Sequence, residues 1–140
     1  MARYLVVAHQ TADSPELVAE LRRTQARDPS SSFVLLVPAT PIQHLLDWTE
    51  GEAQAVAAEA GTRAQNELKR HGIDLKEIRV GDQDPVEAAV DEWTERPEYD
   101  EVILSTLPRR TSRWLKADVH NKLAKRLTIP VTHVVAESRR

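Results

Sequence analysis

The chain contains no cysteine. That excludes disulfides, thiol nucleophiles and zinc–thiolate centres together, and with them the usual scaffold of a small secreted domain. Glycine is scarce, at four in 140 residues. Loops that cradle phosphate depend on glycine, because backbone N–H groups approach an anion most closely where no Cβ intervenes. No Walker A motif, no G-x-G-x-x-G and no G-x-S-x-G elbow occurs, so no catalytic motif supports an enzyme. No apolar run approaches the ~18 residues of a membrane span. The run Tyr4 to Ala8 is too short for the core of a signal peptide. These features predict a soluble, cytoplasmic chain with no membrane partner. Net charge is −3 and aromatics make up 4%, which disfavours nucleic acid as a partner: the field has the wrong sign and stacking platforms are missing.

What is present is a foldable core. Apolar residues make up 41% of the sequence, enough for one domain over residues 1–140. Three continuous apolar runs, Tyr4–Ala8, Phe33–Ala39 and the end of Tyr99–Thr106, read as strands buried on both faces. Leu75–Asp82 reads as a strand near a sheet edge, and Ile129–Ala136 as a fifth strand. Helices fall between them. Ser14 caps the first, with Pro15 at its first position and Leu17, Val18 and Leu21 on one face. An alanine-rich stretch, 52–71, forms the second and stops at Gly72. Asp84 and Pro85 open the third. The last is expected over 112–127, with Ser112 as N-cap and Leu115, Val119, Leu123 and Leu127 at helical spacing. Thr40–Gly51 reads as a loop with a short helical turn.

Strict β-α alternation predicts an α/β three-layer sandwich: a Rossmann-like, five-stranded parallel sheet of order 3-2-1-4-5 with helices on both faces. Ligands of such sheets bind outside the strands' carboxyl ends, where strand order reverses. Strands one and four flank that point. The candidate cleft residues are therefore Ala8, His9 and Gln10 after strand one, Val37 and Pro38 at the end of strand two, and Ser105, Thr106 and Pro108 after strand four. Arg109, Arg110 and Arg113 follow. They can clamp a phosphate bidentately, or form a solvated face paired with surface carboxylates. His9 is either a ligand contact or a buried histidine bonded to backbone. The five histidines show no pair at i,i+3 or i,i+4 and no carboxylate partner at ligand spacing, so no metal is predicted. Trp48, Trp93 and Trp114 read as packing anchors, with Trp114 also placed to cover a ligand or a partner.

Four segments resemble the universal stress protein domain: RYLVVAHQTADSPELVAELRR, VGDQDPVEAAVDE, YDEVILSTLP and LAKRLTIPVTHVVA. They are similar to that family's first β-loop-α unit, its G-x-P lead into the third helix, its fourth strand with the G-S-H-G loop, and its closing helix with a P-V-P-V strand. The departures are specific. Nucleotide-binding members carry G-x2-G-x9-G-[ST]. Ser105 and Pro108 stand at the first two glycines, and Ala117 or Asp118 at the third. His9 replaces an aspartate that the resemblance associates with nucleotide contact. Proline fixes φ and removes a donor, and a carboxylate at 118 would oppose a phosphate. The resemblance thus implies a regulatory or interaction domain without tight ATP binding. The alternative is a binder of a nucleotide, ATP included, or of another small anion through the arginine loop between strand four and the last helix. It further implies a homodimer through strand Ile129–Ala136, an apolar edge that needs a cover.

Overall fold

A computed structural model describes residues 2–40, 50–108, 112, 114 and 117–137. The strands are β1 Arg3–Val7, β2 Ser32–Pro38, β3 Leu75–Gly81, β4 Glu101–Thr106 and β5 Val131–Val135. Between them lie helices α1 Pro15–Arg27, α2 Glu50–Arg70, α3 Pro85–Glu95 and α4 Val119–Arg126. The five strands form one parallel sheet of order β3-β2-β1-β4-β5. Topology and fold class are those expected from the alternation of the sequence.

The pleat sends alternate residues of each strand to opposite faces, and each face has its own core. Tyr4, Val6, Phe33, Leu35 and Ile103 pack under α1 and α2. Leu5, Val7, Val34, Leu36, Val102 and Leu104 pack under α3 and α4. The central strand β1 is thus buried on both sides, which accounts for its unbroken apolar run.

Sequence chemistry sets the helix starts. The Ser14 hydroxyl accepts from the Leu17 N–H at 3.2 Å, and the Asp84 carboxylate from the Val86 N–H at 2.9 Å. A proline follows each cap, where its missing N–H costs nothing. The buried stripe of α2 is mostly alanine: Ala53, Ala57, Ala60 and Ala64, closed by Leu68. Small residues let the helix lie close to the sheet. At Gly61 the approach is so close that a Cβ would stand 2.6 Å from Ile78 Cγ2. Gly72 ends the helix with φ of 81°, the left-handed stop that glycine adopts without strain.

The last helix departs from the expectation of a continuous 112–127 element capped by Ser112. Ala117 and Asp118 form a turn, and α4 starts after it at Val119. Asp118 has φ of 58°, the one non-glycine residue with positive φ among those described. Aspartate tolerates this region because its short side chain can bond locally. Here the Asp118 carboxylate accepts from the Asn121 amide at 2.9 Å, and its carbonyl from the Lys122 N–H at 3.1 Å. Leu115 lies outside the described residues, as does the segment 41–49 of the Thr40–Gly51 loop. No helix of the described residues is long and apolar enough to cross a membrane.

Candidate functional site

The carboxyl ends of β1 and β4 stand side by side, with Val7 opposite Leu104. Beyond β1 the chain turns tightly: the Ala12 N–H reaches the His9 carbonyl at 3.2 Å, and the Ser14 N–H the Thr11 carbonyl at 3.0 Å. This turn puts Thr11 against β4. Its hydroxyl lies 2.6 Å from that of Ser105, both groups buried. One residue on, Thr106 Oγ1 lies 2.8 Å from His133 Nε2 of β5. Consecutive in β4, Ser105 and Thr106 point to opposite faces of the sheet, so the first pair lies on the side of α1 and α2 and the second on the side of α3 and α4.

The His9 side chain, just beyond β1, has no hydrogen-bond partner among the described residues. It is 6% exposed, and neither Nδ1 nor Nε2 is hydrogen-bonded to any of those residues. Of the two alternatives for His9, the ring bonded to backbone is not found among the described residues, while its carbonyl accepts from the Ala12 N–H. Burial, reinforced by the Arg63 guanidinium, lowers its pKa from 6.5 to about 4. The ring is neutral at physiological pH, with one donor and one acceptor uncommitted. Arg63 itself is exposed on α2 and pairs loosely with Asp13 at 3.9 Å. A buried polar group left unsatisfied costs roughly 1–3 kcal/mol, so it marks a place where a ligand group or water would be favoured.

The other predicted cleft residues divide by exposure. Ala8, Val37 and Pro38 are buried, and Gln10 is exposed. Pro108 is half-buried, and its carbonyl accepts from the Ser112 N–H at 2.9 Å. Arg109, Arg110 and Arg113 lie outside the described residues, as does Trp48. Trp93 and Trp114 are half-buried against the core under α3 and α4.

Three features escaped the sequence reading. The bond of Thr11 to Ser105, 94 residues away, has no local signal. His133 stacks on His120 with ring centroids 5.2 Å apart, and burial followed by the His120 charge lowers its pKa. His71, expected to lack a carboxylate partner, pairs with Glu67 at 3.1 Å. That pair was legible as an i,i+4 spacing; it lies at the end of α2.

No protein-family model matches the chain, and no curated protein matches it. Solved structures do. A universal stress protein in complex with cAMP superposes with TM-score 0.65 at 18% identity, covering 97% of this chain and 98% of the other. The universal stress protein of Archaeoglobus fulgidus gives TM-score 0.64 at 14% identity, over 96% and 93%. A family member from Arabidopsis thaliana with AMP bound gives 0.62 at 13%, over 99% and 94%. Likeness at this identity speaks for the backbone: the chain has the universal stress protein fold along nearly its whole length.

Proposed function

We propose that this chain is a cytoplasmic, universal-stress-protein-like regulatory or interaction domain that works by binding, not turnover, and holds no nucleotide tightly. The observation that carries this reading is Asp118. Its left-handed φ of 58° at the start of α4 is a conformation natural to glycine, which favours matching it, and not Ala117, to the third glycine of the family motif. The side chain in that place is a carboxylate. A helix N-terminus is otherwise a good phosphate seat. A phosphate brought to about 4 Å from the carboxylate would meet a repulsion of roughly 4 kcal/mol at an effective dielectric constant near 20. Pro108 also withholds one N–H from the preceding loop.

Thermal melting tests the reading. The wild-type chain should show no shift with millimolar ATP, ADP, AMP, cyclic AMP or inorganic phosphate, with or without Mg²⁺. A ligand at 100 times its dissociation constant adds about 2.7 kcal/mol, a shift of several degrees at this size. Such a shift in the wild-type chain would overturn the proposal. Asp118→Gly should create or strengthen a shift with nucleotide, since it removes the charge and keeps the backbone conformation.

A second reading rests on His9. Its two ring nitrogens, unpartnered among the described residues, suit a small polar ligand, with a nucleotide or another anion as the class, held weakly at the carboxyl ends of β1 and β4 beside Gln10. Binding of such a ligand that disappears in His9→Leu would favour this reading. We further propose a C2 homodimer through Ile129–Ala136. All five residues of β5 are half-exposed and none carries a carboxylate or an ammonium group, and such an edge invites pairing with its own copy. Sedimentation showing only monomer at tens of micromolar would count against it.

A further inference from the structure

Between the N-terminus of α3 and the outer face of α4, the chain leaves a cavity of about 590 Å³. It lies on the face of the sheet opposite α1 and α2, and shares no lining residue with the cleft around His9. Pro85, Val86 and Val119 are buried beneath it and Trp114 is half-buried at its side. Across from these stand Lys122, Lys125 and Arg126, which share one helical face by their i, i+3 and i+4 spacing. The carboxylates at the cavity are already engaged. Glu87 pairs with Arg126 at 3.3 Å, and Asp84 accepts from the Val86 N–H at 2.9 Å. Lys122 and Lys125 are exposed and have no ion-pair partner among the described residues.

Two uncompensated ammonium groups beside an apolar floor define a ligand chemistry. The volume falls in the range of small-molecule sites, about 300–1,000 Å³, where apolar lining supplies burial and a few polar groups fix orientation. The chain as a whole carries net charge −3, so its global field does not gather anions here; the local lysines would. We propose that this cavity is a binding site for a small amphiphilic anion, an aromatic or aliphatic carboxylate, sulfonate or phosphate ester. Its apolar body lies against Trp114, Val86 and Val119, and its anionic head between Lys122 and Lys125.

The test uses the intact chain and 8-anilinonaphthalene-1-sulfonate, an apolar aromatic sulfonate whose fluorescence rises on binding. N-phenyl-1-naphthylamine serves as its uncharged counterpart. The sulfonate should bind, with energy transfer from tryptophan that falls in Trp114→Phe. Lys122→Glu with Lys125→Glu should weaken it by about tenfold or more. Binding of the uncharged probe should stay unchanged. Lys69→Glu with Lys76→Glu, the same change in total charge elsewhere on exposed positions, should leave the sulfonate's affinity within about twofold. Both lysines of the test pair are exposed, so the variant should melt as the wild type does; Lys122→Gln with Lys125→Gln gives a second reading with a smaller loss. Absence of sulfonate binding would overturn the proposal. So would equal weakening by the two charge-reversal pairs, equal loss of the uncharged probe, or loss of the sulfonate in His9→Leu, which would place the probe in the cleft of the strand ends.

Discussion

Lowering the pH from neutral to 5 puts a proton on His9 in the unfolded chain, but not in the folded one. The folded pKa is about 4 against an ordinary 6.5, chiefly because the buried ring has nothing to stabilise its charge. The sign follows from linkage. Folding favours the neutral ring, so its contribution is fully present above pH 6.5 and is lost as the pH falls toward 4. Each unit of difference is about 1.4 kcal/mol, so the whole loss is roughly 3 kcal/mol and about 2 kcal/mol of it is spent by pH 5. For a chain of this size that corresponds to a fall of roughly 6 °C in melting temperature. His133 acts in the same direction, its pKa lowered by burial and then by His120, so the wild-type curve alone does not isolate His9. Circular dichroism melts of the wild type and His9→Leu at pH 7 and pH 5 do. The variant should be at least as stable at pH 7, since two unsatisfied ring nitrogens disappear, each worth roughly 1–3 kcal/mol. Its loss on acidification should be smaller than the wild type's by about 6 °C. Equal losses in the two proteins, or a His9 ring resonance titrating near 6.5, would refute the reasoning.

Other consequences concern how the helices are fixed. The Glu92 carboxylate, 6% exposed, accepts from the Tyr99 hydroxyl at 2.7 Å and from Arg79 Nε at 2.9 Å. Glu92→Ala should therefore lower stability by about 3 kcal/mol in urea titration; a loss below ~1 kcal/mol would mean that the network is not a tie between α3 and the sheet. The same carboxylate, after burial itself, raises the Tyr99 pKa, so no tyrosinate should appear in the ultraviolet spectrum from Tyr99 while the fold persists. Gly61→Ala should destabilise by roughly 1–3 kcal/mol through overpacking, reversing the ~1 kcal/mol gain of alanine in an open helix. A stabilised variant would show that α2 can lift away from Ile78.

The fold was legible because each layer of sequence signal agreed with the others. Ser14-Pro15 and Asp84-Pro85 mark helix starts by cap chemistry, Gly72 marks a stop, and the apolar runs of β1, β2 and β4 are long because both faces are covered. Strand boundaries moved by a residue or two, as frayed ends do. The break at Ala117–Asp118 was less visible. Helical spacing of Val119, Leu123 and Leu127 extends backward to Leu115 by arithmetic, and nothing in composition announces an aspartate in the left-handed region. Only the backbone angle separates a continuing helix from a turn.

The candidate site was legible in place but not in state. Topology alone put His9 and Ser105 at the point where strand order reverses, and that requires no knowledge of side-chain partners. Whether a histidine there is satisfied depends on which groups tertiary structure brings to it, and the Thr11 and Ser105 hydroxyls at the same strand ends bond each other. The same limit governs Asp118. Its charge is printed in the sequence, but its meaning depends on the φ of 58°, since a carboxylate in mid-helix would merely face solvent. At the left-handed start of α4 it is a fixed anion at a helix N-terminus, a favourable location by the helix dipole. What would attract a phosphate to that position is therefore already balanced by the chain's own side chain. A single residue thus keeps the backbone geometry suited to glycine while opposing the anion that such a geometry could admit.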